Sequence, residues 1–312
     1  MDRPGKEAIL LLAAIPQDLR AALAERYELV EDKPAEGERP GVRIAVTTAM
    51  AGAGEAQFAR LPDLRLLSSM GTGLERIDLP AAARRGIAVA YTPDVMTEDV
   101  ADAAIGLMYA AARRIAEADR FVRAGRWGPE RIRPSISLHG KVAGIVGMGR
   151  IGKAIARRAA GLGMTVAWTG PRPKPELPWG FVPELRRLAE QSDVLILAVP
   201  GGTGTDRMVD AGVLAALGPG GVLVNIARGS AVDEPALLDA LESGVIAAAG
   251  LDVFAKEPGL DPRFLALENV VLAPHSASIT YETRAALVAR MLADIAAFRE
   301  GREFLDAAAG AG

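Results

Sequence analysis

The stretch of sequence that decides the fold is Val142-Ala143-Gly144-Ile145-Val146-Gly147-Met148-Gly149-Arg150-Ile151-Gly152. Its first five residues predict a buried strand, and the apolar residues from Ala154 onwards predict a helix. The pattern G-x-G-x-x-G between a strand and a helix is typical of a dinucleotide-binding turn. Gly147 permits the tight turn, Gly149 lets the backbone approach a pyrophosphate, and Gly152 lets the helix pack close to the strand. The alternative is a tight turn whose glycines serve packing alone.

Apolar runs typical of strands alternate with helical patterns along nearly the whole chain. This rhythm predicts an α/β fold with a Rossmann-type, doubly wound parallel sheet, because fully apolar strands suit a sheet covered on both faces. The predicted strands are 9–13, 44–47, 66–69, 142–146, 166–169, 194–199, 222–225, 248–252 and 270–272. The predicted helices are 18–26, 100–123, 151–160, 183–191, 234–242 and 281–299, and residues 170–181 are predicted to form a loop.

The position of the glycine turn in the middle of the chain predicts a second domain. The residues before position 99 alternate strands and helices of their own, which predicts a separate α/β domain of the flavodoxin-like kind. No predicted strand follows the last helix. We therefore expect this helix to fold back onto the N-terminal α/β block. We therefore predict a discontinuous domain of residues 1–98 and 281–312 and a dinucleotide-binding domain of residues 99–280.

Composition restricts the classes of partner and chemistry. The formal net charge is −3, from 36 basic and 39 acidic residues, which does not favour a nucleic-acid or acidic-membrane partner. Because the chain has no cysteine, disulfides, thiolate metal sites and a cysteine nucleophile are excluded. We see no cluster of metal ligands and predict no metal. No apolar stretch approaches the roughly 18 residues of a membrane span, so a cytoplasmic protein is expected.

The second strand of the dinucleotide-binding domain indicates which cofactor is preferred. NAD enzymes place an acidic residue about 20 residues after the glycine turn, where it holds the ribose 2′-hydroxyl. Here the strand ends at Thr169 and Gly170, without a carboxylate, and Arg172 and Lys174 follow. Cations in place of an anion suit a 2′-phosphate. We therefore predict NADP(H), with NAD(H) as a weaker cofactor; the alternative is that both cations are ordinary solvated loop charges.

Three polar residues follow predicted strands in the second half of the chain. His275 comes after the strand 270–272, and a histidine is the natural proton donor for carbonyl reduction near neutral pH. Glu257, paired with it, would favour the imidazolium and orient its ring. Arg228 could bind a substrate carboxylate with two parallel N–H donors and polarise the adjacent carbonyl. These are the predicted catalytic residues, and the other histidine, His139, has no predicted role.

At this point the sequence resembles the D-isomer-specific 2-hydroxyacid dehydrogenase family, over residues from about 44 to about 304. Within the family it is most similar to the glyoxylate/hydroxypyruvate reductases and the plant-type hydroxyphenylpyruvate reductases, which typically prefer NADPH. The matching stretches are 68–73, 91–95, 100–102, 147–152, Leu223-Val224-Asn225-Ile226-Ala227-Arg228-Gly229, Gly250-Leu251-Asp252-Val253-Phe254 and Pro274-His275.

The resemblance implies a role for individual residues. His275 would be the general acid, Glu257 its partner and Arg228 the substrate clamp. The amides of Thr72 and Gly73 would bind the substrate carboxylate in a cleft between a substrate domain and the cofactor domain. Further substrate-binding residues would be Met50 and Gly71, in addition to Arg228 and His275. Met50 and Met70 could equally be core residues, because methionine fills core gaps readily.

The resemblance also implies a cofactor-binding set and a quaternary structure. Asp252 would contact the nicotinamide carboxamide, although a plain cap at a strand end is the alternative. Arg150 and Ile151 would lie at the pyrophosphate. The remaining cofactor-binding residues would be Gly147, Gly149, Gly152, Thr169, Gly170, Arg172, Val199, Pro200, Thr205, Ile226, Ala227, Arg228 and His275. The family usually dimerises through its cofactor domain, so a homodimer is expected.

Some residues depart from the family pattern. His275 is followed by Ser276-Ala277 instead of the usual Ile-Gly or Val-Gly, and Pro200 by Gly201 instead of Leu. Asp99 stands where Ser or Asn is expected. These changes affect the rim of the predicted site and leave the three catalytic residues intact. They therefore bear on substrate identity more than on the type of reaction.

The sequence thus predicts an enzyme that uses NADP(H) to reduce a small 2-keto acid, of the glyoxylate or hydroxypyruvate type, to a D-2-hydroxy acid. An arylpyruvate substrate remains an alternative, because side-chain choice depends on pocket shape. A non-catalytic protein that senses NADP(H) could keep the same fold. Another cofactor enzyme, such as a methyltransferase with a similar turn, would not need Arg228, Glu257 and His275.

Overall fold

A computed structural model of the chain describes residues 6–33, 35, 37–304 and 307–308. These residues divide into two compact units. Unit 1 takes the described residues up to Met96 and from Ile279 onwards, and unit 2 runs from Thr97 to Ser278. The domain boundaries predicted from the sequence, at 98/99 and 280/281, each lie two residues further along the chain.

The helices and strands alternate along the chain. The strands are β1 Ala8–Leu11, β2 Glu28–Glu31, β3 Ile44–Thr48, β4 Leu66–Met70, β5 Ala88–Ala90, β6 Val142–Val146, β7 Thr165–Thr169, β8 Gly180–Phe181, β9 Val194–Leu197, β10 Val222–Asn225, β11 Ala248–Leu251 and β12 Val270–Leu272. The helices are α1 Gln17–Arg26, α2 Glu55–Ala59, α3 Leu79–Arg84, α4 Thr97–Ala112, α5 Ile115–Arg123, α6 Arg150–Gly161, α7 Leu185–Glu190, α8 Ala211–Leu217, α9 Glu234–Ser243, α10 Arg263–Ala266 and α11 Tyr281–Arg299.

Unit 1 is built on a parallel five-stranded sheet in the order β2-β1-β3-β4-β5, which is the flavodoxin-like order. Its inner strand β1 is buried on both faces. Leu10 packs into the core on one face, whereas Ile9 and Leu11 pack into the core on the other. Met291 and Ile295 of the C-terminal helix α11 lie in that second core. The last helix therefore completes the unit begun by the first 96 residues.

Unit 2 carries a parallel seven-stranded sheet in the order β12-β11-β10-β9-β6-β7-β8. Within this sheet the chain passes first through β6, continues outward through β7 to β8, and then returns to β9 on the other side of β6. This reversal of direction is the switch point at which doubly wound sheets bind dinucleotides. The predicted α/β, Rossmann-type fold class is confirmed, and the glycine turn follows the strand at the switch point.

The short elements β2, β5, α2, α3, α8 and α10 were not predicted. Two predicted segments also differ by more than one or two residues at their ends. The helix predicted for 100–123 is two helices, α4 and α5, because Arg114 adopts a left-handed backbone conformation with a φ of 55°. The loop predicted for 170–181 ends in the short edge strand β8, where Phe181 packs its ring 4.7 Å from that of Trp168. Both differences depend on contacts or dihedral angles that an apolar pattern does not encode.

The described helices of both units are too short or too polar to cross a membrane.

Candidate active site

The glycine turn joins β6 to α6, as predicted. Gly147 has a φ of +95°, and a Cβ there would lie 2.5 Å from the carbonyl oxygen of Ala198. A Cβ on Gly152 would lie 2.0 Å from the carbonyl oxygen of Gly147. A Cβ on Gly149, by contrast, would meet no atom of the protein within 4 Å. Packing therefore explains two of the three glycines, and for Gly149 the approach of a pyrophosphate to the backbone stays the predicted reason.

The helix behind this turn is suited to an anion. Gly149 precedes the first residue of α6, and Arg150 and Ile151 lie in the first turn, which contains no acidic side chain. The free N–H groups and the positive dipole end of a helix N-terminus favour a phosphate. The residues at this turn thus fit the pyrophosphate of a dinucleotide, both in backbone geometry and in charge.

The end of β7 lies beside the turn, since Gly147 N–H donates to the carbonyl of Thr169 over 2.9 Å. Thr169 itself is buried, and its hydroxyl donates to the carbonyl of Pro183 over 3.2 Å. Gly170 follows without a carboxylate, and Arg172 is exposed. The Thr169 hydroxyl is therefore used inside the protein, which leaves its backbone and Gly170 as the predicted cofactor contacts at this strand end.

Lys174 reaches the glycine turn from the same loop. Its Nζ donates to the carbonyl of Met148 over 2.8 Å, across 26 positions of sequence. The sequence indicated a cation near the cofactor but not this contact. The ammonium group fixes the loop that carries Arg172 against the backbone of the turn.

The loop after β9 lies on the other side of the turn. A Cβ on Gly147 would approach a methyl group of Val199 to 2.9 Å. Thr205 closes the loop, because its hydroxyl donates to the carbonyl of Pro200 over 2.8 Å. Among the other predicted cofactor residues, Ile226 and Ala227 are buried directly after β10.

Three neighbouring strands bring the predicted catalytic residues to one edge of the unit 2 sheet. β10, β11 and β12 are parallel, with Leu251 level with Leu272 across the last pair. Arg228 follows β10, Glu257 follows β11 and His275 follows β12. Because parallel strands share one carboxyl edge, where open α/β sheets bind their ligands, all three residues belong to the ligand-binding edge.

His275 and Glu257 form a direct pair. His275 Nδ1 lies 2.7 Å from Glu257 Oε2, and the side chains are 36% and 16% exposed. The other oxygen, Oε1, accepts the N–H of Phe254 over 2.8 Å. Both carboxylate oxygens are thus engaged. The pairing occupies Nδ1 of the imidazole, so Nε2 is the nitrogen able to exchange a proton with a substrate.

Asp252 holds the loop that carries His275. It is buried at the end of β11, and its two carboxylate oxygens accept the N–H groups of Ser276, over 2.7 Å, and Ala277, over 3.0 Å. Its backbone carbonyl accepts the N–H of His275 over 2.8 Å. The structure therefore shows Asp252 as a cap for this loop, the alternative role considered above; its contact with a nicotinamide stays a prediction.

Arg228 sits on a turn that is fixed by Asn225. The Asn225 side chain accepts the N–H of Ala227 and donates to the carbonyl of Arg228, each over 3.0 Å. Arg228 Nη1 donates to the carbonyl of Ala227 over 2.7 Å. A Cβ on the next residue, Gly229, would lie 1.9 Å from the carbonyl carbon of Phe254. The arginine turn is therefore packed against the loop that carries Glu257.

The predicted substrate residues of unit 1 lie at the carboxyl ends of β3 and β4. Gly71 has a φ of +121°, and its N–H donates to the hydroxyl of Thr92 over 2.9 Å. The hydroxyl of Thr72 lies 3.3 Å from the sulfur of Met96, and Met50 is 43% exposed. Gly71 therefore shapes the turn and has its amide engaged, so the amides of Thr72 and Gly73 stay the predicted carboxylate ligands.

Among the residues that the structure describes, no three side chains of histidine, aspartate or glutamate come together as a metal site.

The comparison with protein families gives the identity of this arrangement. Residues 105–277 match the model of the D-isomer-specific 2-hydroxyacid dehydrogenases, in their NAD-binding domain. The chain belongs to this family. The family prediction from the sequence is confirmed, and the enzyme class is that of oxidoreductases acting on 2-hydroxy acids.

Relatives and solved structures cover nearly the whole chain. A glyoxylate/hydroxypyruvate reductase of Arabidopsis thaliana is 40% identical over 95% of this chain and 97% of its own. A 2-ketogluconate reductase of Gluconobacter oxydans is 46% identical over 83% of this chain and 84% of its own. The structure of an NADPH-dependent glyoxylate/hydroxypyruvate reductase from Sinorhizobium meliloti, in complex with NADP and malonate, has a TM-score of 0.90 at 38% identity and covers 98% of both chains.

Proposed function

We propose that this dehydrogenase reduces a small 2-keto acid, of the glyoxylate or hydroxypyruvate type, to a D-2-hydroxy acid with NADPH in the cytoplasm. The observation that carries the proposal is the 2.7 Å contact between His275 and Glu257 at the ligand-binding edge of unit 2. This sheet also carries the glycine turn, and the Arg228 turn packs against the loop of Glu257. A proton donor, a carboxylate clamp and a dinucleotide turn are the parts that this reduction needs.

In the proposed reaction, Nε2 of His275 gives its proton to the carbonyl oxygen of the keto acid while C2 receives a hydride. NADPH, when bound at the glycine turn, supplies that hydride. Glu257 fixes the orientation of the imidazole through Nδ1. Arg228 binds the substrate carboxylate and polarises the neighbouring carbonyl. The amides of Thr72 and Gly73 are proposed as further carboxylate ligands.

The preference for NADPH over NADH rests on the end of β7. No acidic residue follows this strand, and Arg172 and Lys174 lie in the loop behind it. The structure crystallised with NADP is similar to this chain over nearly its whole length. NADH is proposed as a weaker cofactor.

A panel of keto acids tests the function. Glyoxylate, hydroxypyruvate, 2-ketogluconate and 4-hydroxyphenylpyruvate are each assayed with NADPH and with NADH. We expect the highest kcat/KM with NADPH and one of the first two acids. A preference for the aryl acid favours the hydroxyphenylpyruvate alternative. Tight NADPH binding without reduction of any acid favours a sensor protein and contradicts the proposal.

The proton donor is tested on the two histidines. We expect His275→Ala to lower kcat by about 10²- to 10⁴-fold, the usual contribution of a general acid. NADPH affinity, measured by fluorescence titration, should change little. His139→Ala is the matched control and keeps wild-type turnover. Near-wild-type turnover of His275→Ala would reject histidine as the acid.

We also propose that the enzyme is a homodimer that pairs through unit 2. An exposed apolar surface, here called the tryptophan patch, is formed by Val122, Trp127 and Ile132 beside the buried ring of Phe121, and Trp127 is 74% exposed. Both signs of charge border it, in the Arg126–Glu130 ion pair. A surface that carries an apolar centre and both charges can be complementary to itself across a two-fold axis, so a second copy of this chain is the proposed occupant.

A further inference from the structure

The loop between Val253 and Pro258, here called the glutamate loop, carries Glu257 and is held by a second carboxylate from outside. Glu234, the first residue of α9, accepts the N–H of Ala255 on its Oε2 over 2.8 Å. The preceding N–H, that of Phe254, is bound by Glu257 itself. Two consecutive peptide N–H groups are thus each bound by a glutamate, one inside the loop and one across 21 positions of sequence.

This contact leads to the reacting histidine in a short series of hydrogen bonds. Glu234 fixes Ala255, and the adjacent Phe254 amide fixes one oxygen of Glu257. The other oxygen of Glu257 lies 2.7 Å from Nδ1 of His275. Since the orientation of the imidazole depends on Glu257, it depends in turn on the backbone position that Glu234 sets.

The helix end that carries Glu234 is capped by the neighbouring residue. Asp233 caps α9 by accepting the N–H of Ala236, and it pairs with Arg207. The hydrogen bond from Arg207 holds the pKa of the Asp233 carboxyl below its usual range. The segment from Gly229 to Glu234 therefore contacts the glutamate loop twice, by close backbone packing at Gly229 and by a hydrogen bond at Glu234.

We propose that Glu234 is a positioning residue that holds the glutamate loop so that Glu257 and His275 keep their reactive geometry. This inference rests on the proposed function, because it assigns Glu234 a task in the proton transfer by His275. An acidic residue in the first turn of a helix otherwise has a simpler explanation, its favourable interaction with the helix dipole. A substitution distinguishes the two roles, because kcat falls only if Glu234 positions the glutamate loop.

The test compares Glu234→Ala with Glu234→Gln, which keeps an oxygen able to accept the Ala255 N–H. We expect kcat of the alanine variant to fall about tenfold, the size of one lost hydrogen bond that the transition state needs. The KM for the keto acid and the Kd for NADPH should stay within about twofold, because the loss is confined to the transition state. The glutamine variant should keep at least about half of the wild-type kcat.

Glu242→Ala is the matched control, because Glu242 lies on the same helix and pairs on the surface with Arg263. Its kcat, its KM for the keto acid and its Kd for NADPH should match those of the wild type. If Glu234→Ala does not fold, Glu234→Asp is measured in its place. Its carboxylate is one methylene short of Ala255, so the same fall in kcat is expected. An unchanged kcat in the alanine variant overturns the proposal, and so does an equal loss in the alanine and glutamine variants.

A proton NMR measurement separates this inference from the proposed function. The N–H proton between His275 and Glu257 should give a downfield resonance, assigned by its loss in His275→Ala; the chain has only two histidines. We expect this resonance to broaden or disappear in Glu234→Ala and to persist in Glu234→Gln and Glu242→Ala. If the wild type reduces no keto acid, the proposed function fails while this signal still tests the role of Glu234. A resonance unchanged in Glu234→Ala contradicts that role.

Discussion

Gly149 and Gly152 are only three residues apart, yet the structure gives them different reasons to be glycine. A Cβ on Gly152 would clash with the carbonyl oxygen of Gly147 at 2.0 Å, whereas a Cβ on Gly149 would meet no protein atom within 4 Å. We expect Gly152→Ala to destabilise the fold by about 1–3 kcal/mol, the usual cost of overpacking. We expect Gly149→Ala to stay folded and to lose NADPH affinity.

Urea unfolding and fluorescence titration of both variants measure these two effects. Gly161→Ala is a suitable control, because a Cβ there, as at Gly149, would meet no protein atom within 4 Å, but it lies at the far end of α6. Equal NADPH affinity in Gly149→Ala and the wild type would contradict the assignment of this backbone to a pyrophosphate.

Asp252 explains how a histidine can occupy an unusual backbone conformation. His275 has a φ of 53°, a region that residues other than glycine seldom adopt. The Asp252 carboxylate accepts the next two backbone N–H groups, those of Ser276 and Ala277. An asparagine could accept only one of them, since its amide nitrogen is a donor. We expect Asp252→Asn to cost about 1–3 kcal/mol of unfolding free energy, the penalty for an unsatisfied buried donor.

Urea denaturation measures that loss, and Asp239→Asn on the exposed face of α9 is the control. The cost should be accompanied by a lower kcat, because the same N–H groups hold His275 in place. A variant with wild-type stability would show that the two hydrogen bonds are not needed for the conformation of this loop.

Single residues were predictable from sequence where a pattern fixes their position on a sheet edge. Arg228, Glu257 and His275 each follow a recognisable apolar strand. Because parallel strands share one carboxyl edge, the three residues could be assigned to the same ligand-binding edge. Glu234 and Lys174 could not be assigned their contacts in this way. Their partners lie 21 and 26 positions away, in loops whose paths depend on tertiary packing.

At the level of elements, the loop after β7 carries two cations with different predicted roles in cofactor binding. Lys174 binds the backbone of the glycine turn, whereas Arg172 is exposed on the same loop. We expect Arg172→Ala to weaken NADPH binding by about 10- to 100-fold and to leave NADH binding unchanged, because a charge-assisted bond to the 2′-phosphate is lost. Lys174→Met should weaken the binding of both cofactors by a similar factor, since the glycine turn itself loses a contact.

Fluorescence titration with both nucleotides distinguishes the two effects. Arg186→Ala, on the exposed side of α7, is the control for a general loss of positive charge. An equal loss of affinity for NADPH and NADH in Arg172→Ala would contradict the proposed contact of Arg172 with the 2′-phosphate.

Most strands with an apolar run were predictable, including the edge strand β12, whereas the edge strands β2 and β8 were not. β6, β10 and β12 have the bounds that their apolar runs predicted. β2 begins and ends with glutamate and β8 has only two residues, so neither has the apolar run of a buried strand. The break between α4 and α5 depends on the φ of Arg114, and no glycine or proline marks it.

At the level of the whole molecule, the position of one motif predicted the architecture. A dinucleotide turn near residue 150 leaves too many residues before it for a single Rossmann sheet. The final predicted helix had no predicted strand after it, which indicated that it packs on the first block, and α11 lies in a core of unit 1. Chain length and motif position thus constrain the topology, whereas the substrate depends on the shape of a pocket that they do not specify.

Quaternary structure is also a property of the whole molecule, and the tryptophan patch gives it a specific test. We expect the wild type to sediment as a dimer and Trp127→Glu to weaken dimerisation by at least about 30-fold, as expected when an apolar anchor worth 2 kcal/mol or more is lost. Leu265→Glu is the matched control, because Leu265 is 72% exposed on the short helix α10, outside the patch. A monomeric wild type, or equal dimerisation of both variants, would show that the patch does not bind a second copy.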